Sequence, residues 1–394
     1  MADALGSNVL ALNSGSSSLK FGLYRVRSAG TEILLSGKWA AIGDTGNEFR
    51  ARDSSGKELT SEAAPISNQQ EAIARIAKLL AESGAPRPDA IGHRIVHGGP
   101  KLRQHCQIDG EVMQKLEAAT AFAPLHIPPA LSVIRFALEH FTGVPQAACF
   151  DTAFHADLPD IARVLPIPKN LQLEGIERYG FHGLSCESIV HQLANGLPKR
   201  LVIAHLGNGA SVTAVEDGKS IDTSMGLSPT GGVIMSTRSG DLDPGVLLYL
   251  MREKGFDADK IEDLVDHRSG LLGISGISGD MRSLHAAAAS NPCAHLAIAM
   301  FSYCVRKQVA AMLAALGGVD LIVFTGGIGE NDSEVRAAVC GSLSWAGVSL
   351  DDARNQLARN PISDAQSRCA VLVLETQEDE QIARHTGAIL SRSR

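Results

Sequence analysis

In the first 150 residues, short apolar segments typical of strands alternate with longer segments whose apolar residues have helical spacing. Short apolar runs in "NVLALNSG", "SLKFGLYRV", "DAIGHRIVHGG" and "VPQAACFDTAFH" predict strands, because each is bounded by glycine or polar residues. Two longer segments predict helices: "SNQQEAIARIAKLLAESG" has apolar residues at helical spacing and stops at Gly84, and "PPALSVIRFALEHF" starts with prolines. Together they predict one α/β domain of about 150 residues.

The second half of the chain repeats the opening pattern. The stretch "RLVIAHLGNGASVTAVEDGKSIDTS" again places a glycine-rich turn between two apolar strands, and helices at "DPGVLLYLMREKG" and about 294–316 precede a strand in "DLIVFTGGIGEN". This recurrence predicts a duplication. We therefore expect an N-terminal lobe over 1–152 and a C-terminal lobe over 153–379, with a final helix over 380–394 that packs on the first lobe.

Composition restricts the class of protein. The chain has 394 residues with 44% hydrophobic and 20% charged residues, which is typical of a globular protein with a sizeable core. A net charge of −7 argues against a general nucleic-acid binder but permits local basic sites for an anion. The seven cysteines are scattered without a C-x-x-C pair, which is typical of reduced thiols in the cytoplasm.

No targeting or membrane segment is expected. The start of the chain lacks a basic region followed by a long apolar stretch, so it does not resemble a signal peptide. The longest apolar helical segment carries Arg306 and Lys307 in its middle. We interpret that segment as a buried helix and not as a membrane span.

Three glycine- or serine-rich segments follow apolar strands. "LNSGSSSLKF" and "AHLGNG" hold more small residues than a hairpin needs, and their backbone N–H groups could form anion sites that grip a polyphosphate, one from each half. "FTGGIGEN" could lie against the base and ribose or the α-phosphate of a nucleotide. Each segment alone is more typical of a tight turn than of a binding site, and the binding interpretation depends on all three occurring directly after apolar strands. Neither a Walker A loop nor a dinucleotide-binding G-x-G-x-x-G is present.

Two arginines and one aspartate are the best candidates for chemistry. Arg94 lies in an otherwise apolar strand, so its guanidinium must be paired or must face a ligand. Arg238 lies in the glycine-rich loop "STRSGDLDPG", and a structural salt bridge is an equal alternative for either arginine. Asp151 follows a strand, where ligands of open α/β sheets gather.

Histidines and metal ligands give weaker signals. His126, His182 and His205 lie in tight proline- or glycine-containing contexts, whereas His97, His105, His140 and His267 receive no role. The absence of G-x-S-x-G and H-E-x-x-H argues against a hydrolase elbow and a zinc site. Magnesium is favoured, with Asn13 and Glu378 as candidate ligands. The alternative for Glu378 is a helix N-terminal charge.

Nine stretches together resemble the acetate kinase family. They are "LNSGSSSLKF", "GHRIVHGG", "APLHIPPA", "FDTAFH", "RYGFHG", "AHLGNGAS", "MSTRSGDLDPG", "SGLLGISG" and "FTGGIGEN", and they occur in the order of the family. The resemblance runs from residue 9 to about 384. It implies the duplicated, two-lobed actin-like ATPase (ribonuclease H-like) fold of the sugar kinase, Hsp70 and actin superfamily, with a nucleotide cleft between lobes.

The resemblance also implies a role for each matching residue. Asn13 and Glu378 would bind Mg²⁺ (or Mn²⁺), Arg94 would bind the substrate carboxylate, Asp151 would be the active-site acid, and His182 and Arg238 would stabilise the transition state. Val96, Leu125, Phe181 and Pro229 would form the pocket for the methyl group. ATP or ADP would contact Lys20 and three stretches: His205, Leu206, Gly207, Asn208 and Gly209; Asp280, Met281 and Arg282; and Gly327, Ile328, Gly329, Glu330 and Asn331. "TQEDE" stands where the family has the more usual "TNEE".

The implied reaction is the reversible, in-line phosphoryl transfer from ATP to acetate, giving acetyl phosphate and ADP. A carboxylate substrate is already ionised at pH 7 and needs no general base. We therefore expect Asp151 to orient an arginine or a water of the Mg²⁺–nucleotide. Val96 limits the pocket, so acetate should be preferred to propionate.

Alternatives stay open at this point. They are a propionate or butyrate kinase of the same family, and an ATP-dependent Hsp70- or actin-like binding module. The resemblance further implies a cytoplasmic homodimer with small-molecule substrates and neither a nucleic-acid nor a membrane partner.

Overall fold

The computed structural model describes residues 6–15, 18–40, 48–62 and 68–392. The chain divides into two compact units. The first comprises Met1–Ala156, Gly183–Ser188 and Gln377–Arg394, and the second comprises Asp157–His182 and Ile189–Thr376. The first unit therefore combines segments that are far apart in the sequence, and helix α6 (Gly183–Leu193) begins in it and continues into the second unit.

The first unit is built on an eight-stranded sheet with the order β5-β4-β3-β2-β1-β6-β8-β7. Strands β1 to β5 form antiparallel pairs, and β1, β6 and β8 run parallel. The strands are β1 (Ser7–Ser14), β2 (Leu19–Arg27), β3 (Gly30–Ala40), β4 (Glu48–Asp53), β5 (Glu58–Glu62), β6 (Ala90–Ile95), β7 (Cys106–Gln107) and β8 (Gln146–Phe150). The helices are α1 (Gln69–Glu82), α2 (Gly110–Ala118), α3 (Ile127–His140) and α15 (Glu378–Arg392), with short 3₁₀ turns at Ala119–Phe122 and Ala153–His155.

Strand β1 is apolar because both of its faces are covered. Leu10 and Leu12 pack in a cluster that contains residues of α1 and α3, among them Ile73. Val9 and Ala11 point to the opposite face, where they pack against Ile382 and Ala383 of α15 and their neighbours. A strand buried on both faces reads as a continuous apolar run, which explains the sequence signal at "VLAL".

The second unit contains a five-stranded sheet with the order β11-β10-β9-β12-β13. Its strands are β9 (Arg200–Leu206), β10 (Ala210–Glu216), β11 (Lys219–Thr223), β12 (Leu321–Thr325) and β13 (Ala370–Val373). Its helices are α4 (Asp160–Arg163), α5 (Lys169–Leu173), α7 (Pro244–Lys254), α8 (Ala258–His267), α9 (Gly270–Ser275), α10 (Met281–Ala288), α11 (Pro292–Ala315), α12 (Gly326–Asn331), α13 (Ser333–Cys340) and α14 (Asp352–Gln356), with 3₁₀ turns at Ala194–Gly196 and Ser344–Ala346.

The two sheets share one topology. In each, a hairpin and a third antiparallel strand (β3-β2-β1 and β11-β10-β9) are extended by two parallel strands (β6 and β8, then β12 and β13). The duplication predicted from the sequence is therefore confirmed at the level of strand order and direction. One prediction is wrong in detail: most of "FTGGIGEN" is the short helix α12 and not a turn.

Helix α11 is the one helix in the described part of the chain that is long and apolar enough to cross a membrane by length and composition. Its buried face includes Phe301, Val305 and Val309 and packs against β9, β10 and the neighbouring helices α9, α10 and α13. Arg306, near its middle, donates a hydrogen bond to the Ala338 carbonyl at 2.6 Å. The helix thus makes the contacts of a layer that covers a sheet.

Candidate active site

Arg94 and Asp151 form a buried ion pair in the first unit. The Arg94 Nε donates to both carboxylate oxygens of Asp151, at 3.1 and 2.9 Å, and Nη2 donates to Oδ2 at 2.7 Å. The Asp151 side chain is only 1% exposed and that of Arg94 is 18% exposed. Such a bidentate contact fixes the plane of the guanidinium.

The sheet brings these residues together. Asn13 lies near the end of β1, Arg94 near the end of β6 and Asp151 directly after β8, and these three strands are parallel neighbours. The carboxyl ends of parallel strands meet at one edge, which is where ligands of α/β sheets bind. The Arg94 Nη1 also donates to Asn13 Oδ1 at 3.1 Å, so all three side chains are joined.

Burial controls the ionisation of the pair. Burial raises the pKa of Asp151 to about 6, although the charge and hydrogen bonds of Arg94 oppose the rise. Burial also disfavours the charged form of Arg94, but the Asp151 carboxylate more than compensates and raises the pKa of Arg94 above its usual value. The guanidinium therefore stays charged, while the carboxylate accepts a proton in mildly acidic solution.

Asn13 connects this pair to the start of helix α15. Its Nδ2 donates to Glu378 Oε2 at 3.1 Å and to Asp379 Oδ1 at 2.8 Å. One amide thus lies within hydrogen-bond distance of two carboxylates, and amide and carboxylate oxygens are the ligands that Mg²⁺ takes. The residues present fit a magnesium ion. Asp379 was not singled out in the sequence, and its only signal was its position beside Glu378.

A small pocket lies beside Arg94 in the first unit. It is lined by Ser14, Gly15, Arg94, Val96, Leu125, His126, Pro129 and Ala130. Val96 and Leu125, two of the four residues expected to hold a methyl group, therefore share a pocket with the guanidinium. The other two, Phe181 and Pro229, are buried in the second unit.

Three further side chains support the segment before Asp151. The Phe150 N–H donates to His105 Nδ1 at 3.0 Å, and Glu187 lies near both His105 (3.5 Å) and His385 (2.6 Å). Burial alone would raise the pKa of Glu187, but hydrogen bonds from the two histidines lower it to about 2. Because His105 Nδ1 accepts a hydrogen bond from the Phe150 N–H, the proton of the neutral ring resides on Nε2, which faces Glu187 Oε1 at 3.5 Å. A protonated Nε2 is a poor metal ligand. His105 received no role from the sequence, where histidines without a motif are indistinguishable.

In the second unit, His182 is held in a strained conformation. Its φ of 59° and ψ of 25° lie in the left-handed region, which costs a residue with a side chain roughly 1–3 kcal/mol. Its Nδ1 contacts Ser211 Oγ at 3.0 Å, and its ring stacks on His205 with centroids 4.2 Å apart. Strain of this kind clusters at functional sites.

Arg238 and His182 converge beside Gly209. A Cβ at Gly209 would lie 3.1 Å from His182 Nε2 and 3.5 Å from Arg238 Nη1. The Nη1 atom also donates to the Pro229 carbonyl at 3.3 Å. A glycine at this point therefore keeps open the space that both side chains approach.

The three predicted nucleotide stretches border one cavity of about 950 Å³ in the second unit. Gly207, Asn208, Asp280, Met281, Arg282, Gly327, Ile328 and Asn331 line it, together with Ser236, His285, Asp332, Ser333 and Glu334, which the sequence did not indicate. His285 Nε2 lies 2.8 Å from Asp332 Oδ2. The volume falls in the range of small-molecule and cofactor sites.

The remaining predicted nucleotide residues lie elsewhere. Leu206 and Gly329 are buried, and His205 stacks on His182. Glu330 Oε1 accepts the N–H of Gly326 at 2.9 Å and that of Thr376 at 3.2 Å, so its carboxylate holds the backbone around α12. Lys20 belongs to the first unit, and Ser16 and Ser17 of the opening serine-rich turn lie outside the described residues.

Comparison with known proteins identifies the family. The model of the acetokinase family matches residues 8–384. The chain belongs to the acetokinase family. An acetate kinase of Parabacteroides distasonis is 38% identical over 98% of this chain and 99% of its own length.

Solved structures agree with this assignment. The crystal structure of Porphyromonas gingivalis acetate kinase has a TM-score of 0.86, with 36% identity over 98% of this chain and 100% of that one. A propionate kinase from Francisella tularensis has a TM-score of 0.90, with 35% identity over 97% and 100%. The actin-like ATPase fold predicted from the sequence is thereby confirmed.

Two adjacent glycines of this acetokinase family member provide a matched test of the start of α12. Gly326 has φ +77°, and a Cβ there would lie 2.8 Å from the Leu206 carbonyl oxygen, whereas a Cβ at Gly327 would meet nothing within 4 Å. We expect Gly326→Ala to lower the free energy of unfolding by roughly 1–3 kcal/mol, measured by urea denaturation. Gly327→Ala is the control and should change it little. Equal effects of the two substitutions would contradict this account.

Proposed function

We propose that this protein transfers the γ-phosphoryl group of ATP to acetate, giving acetyl phosphate and ADP. The observation that carries the proposal is the pocket in which the Arg94 guanidinium lies beside Val96 and Leu125. A cation next to a small apolar surface suits a short carboxylate with a methyl group. The names of the relatives support the same activity.

The chemistry required is mainly electrostatic. A carboxylate must approach an anionic phosphoryl group, and such transfers are catalysed by positioning and charge stabilisation. In our proposal Arg94 binds the acetate carboxylate, and Arg238 and His182 stabilise the charge that is shared in the transition state. Residues bordering the 950 Å³ cavity hold the nucleotide. Bound Mg²⁺ supplies positive charge to the phosphate oxygens.

The reaction is tested by trapping the acyl phosphate with hydroxylamine in the presence of ATP and acetate, propionate or butyrate. We expect acetate to give the highest kcat/KM, because Val96 limits the space for a longer acyl chain. The preference over propionate should be moderate, since one methylene in an apolar pocket changes binding by about 1–3 kcal/mol. Arg94→Lys, which loses the planar fork, should be strongly impaired. Arg135→Lys, on the exposed face of α3, is the control.

Other outcomes of this assay separate the alternatives. A higher kcat/KM for propionate would instead favour the activity named for the Francisella tularensis neighbour. ADP formation that does not depend on any carboxylate would favour an Hsp70- or actin-like binding module.

The role that we propose for Asp151 is to orient Arg94. This follows from its three hydrogen bonds to that side chain and needs the ionised carboxylate. Because the pKa of Asp151 is raised to about 6, protonation below that pH should weaken the pair. We expect the wild-type kcat/KM for acetate to fall as the pH drops through about 6. Asp151→Asn should have a low kcat/KM at every pH, and its kcat/KM should not fall further below pH 6. Recovery of its kcat/KM at high pH would show that Asp151 acts as a general base instead.

We propose Asn13 and Glu378 as magnesium ligands, with Asp379 holding the Asn13 amide. Glu378→Gln removes a charged ligand and should weaken Mn²⁺ binding, measured by electron paramagnetic resonance without substrates, by at least about tenfold. Glu380→Gln is the control, because Glu380 lies in the same turn but pairs with Arg384. Unchanged Mn²⁺ affinity in Glu378→Gln would exclude this ligand set.

We also propose a cytoplasmic homodimer. Helix α7 has no buried residues, and Val246, Tyr249 and Met251 on it are 43–55% exposed. Exposed apolar surface of this kind marks interaction sites. The seven cysteines are all free, which suits a reducing compartment.

The oligomeric state is tested by light scattering after size exclusion. The wild type should have the mass of a dimer, and Val246→Glu/Tyr249→Glu should shift it toward a monomer. A monomeric wild type would overturn the proposal, and so would a double variant that remains fully dimeric.

A further inference from the structure

The first sheet carries a row of basic side chains beside the candidate active site. Strand register places Lys20 of β2 opposite Lys38 of β3, and Lys38 opposite Arg50 of β4. Directly opposed residues on neighbouring strands project from the same face. Arg52 follows two positions after Arg50 and therefore shares that face as well.

These four residues line one cavity. It has a volume of about 320 Å³ and is bordered by Lys20, Lys38, Arg50 and Arg52 together with Phe21, Ser36, Gly37 and Asp379. The row continues toward the site already described, because Asn13 of β1 is the register partner of Lys20. The cavity therefore adjoins the proposed metal ligands without containing the Arg94 pocket.

The charges in this cavity are poorly compensated. Within the described ranges, Arg50 pairs with Glu48, whereas Lys20, Lys38 and Arg52 have no ion pair within 4.0 Å. Asp379 lies at the cavity wall, and Glu58 is the register partner of Arg52. Like charges directly opposite one another destabilise a sheet. A chain with a net charge of −7 nevertheless concentrates four cations here, which indicates an anionic ligand.

The spacing indicates the kind of anion. Neighbouring strands lie about 4.8 Å apart, so the row from Lys20 to Arg50 spans about 10 Å. A single phosphate or carboxylate would reach only part of such a row, whereas a linear chain of phosphate groups presents charges along its length. Lysine and arginine are the usual partners of phosphate oxygens.

We propose that this cavity is a binding site for a linear phosphate chain, held by Lys20, Lys38, Arg50 and Arg52. The chain can come from inorganic triphosphate or from the triphosphate of a nucleotide. The inference goes beyond phosphoryl transfer to acetate, because it concerns binding and does not require that any acyl phosphate forms.

The test is calorimetric titration of the full-length protein with sodium tripolyphosphate in metal-free buffer. Lys38→Gln/Arg52→Gln should raise the dissociation constant at least about tenfold, because hydrogen bonds to charged groups contribute strongly to binding. The matched control is Lys57→Gln/Lys78→Gln, which removes two exposed cations outside the cavity and should leave the affinity unchanged. Absence of binding to the wild type, or equal affinities of the two double variants, would overturn the proposal.

A second titration identifies the molecule that carries the phosphate chain. A non-hydrolysable ATP analogue is titrated into the same proteins. If Lys38→Gln/Arg52→Gln weakens the analogue as strongly as tripolyphosphate, the site holds the nucleotide's phosphates. If only tripolyphosphate is weakened, the site serves a separate inorganic chain.

Thermal stability separates lost binding from lost folding. Removing two like charges relieves repulsion, so Lys38→Gln/Arg52→Gln should melt no lower than the wild type without ligand. Tripolyphosphate should raise the wild-type melting temperature and should not raise that of the variant. An equal rise in both proteins would count against this site.

Discussion

Burial of the Arg94–Asp151 pair is the constraint on which the candidate site in the first unit depends. Removing one partner of such a pair leaves the other charge without compensation in the interior, at a cost of about 3–5 kcal/mol. The three hydrogen bonds between the two side chains therefore stabilise the fold and also orient the guanidinium. In the proposed function, an acetate carboxylate would meet a cation whose direction is already fixed, so little reorganisation would be needed at the moment of binding.

Neighbouring contacts maintain this pair from several directions. Asn13 accepts a hydrogen bond from Arg94 and donates hydrogen bonds to Glu378 and Asp379. His105 fixes the backbone just before Asp151, and Glu187 in turn holds His105 and His385. Asn13, His105 and Glu187 thus set the position of the Arg94–Asp151 pair. Surrounding contacts of this kind are what keep functional side chains in a fixed geometry.

Local patterns were sufficient for the strands and helices that carry strong periodicity. The buried runs of β1, β6, β8, β9 and β12 were all visible in the sequence, because a strand covered on both faces must be apolar. Strands β3 to β5 were not predicted, since at the sheet edge their apolar residues alternate with charged ones, as in "EFRARD". The helix α12 was mistaken for a turn because glycine dominates its sequence, whereas Glu330 supplies the contact that holds its start.

The residues of the candidate site also include some that the sequence indicated and some that it did not. Arg94, Asp151 and Asn13 could be found because each is a polar residue at the end of an apolar strand. His105, Glu187, His285 and Asp379 could not, because their surroundings depend on residues that are distant in the sequence. His285 meets Asp332, which lies 47 positions later, and Glu187 meets His385, which lies 198 positions later. The spacing of residues along the sequence gives no indication of contacts between such distant positions.

The contact between Asn13 and Glu378 joins positions 365 residues apart. During synthesis the first hairpin therefore leaves the ribosome long before the two carboxylates that accept hydrogen bonds from Asn13 Nδ2, whereas Arg94, the donor to Asn13 Oδ1, follows it much sooner. The entropic cost of closing a loop rises only slowly with its length, so this separation affects when the contact can form more than how stable it is. The proposed metal-binding corner can therefore form only after α15 has been synthesised, and a fragment without α15 would also leave Val9 and Ala11 of β1 uncovered on one face.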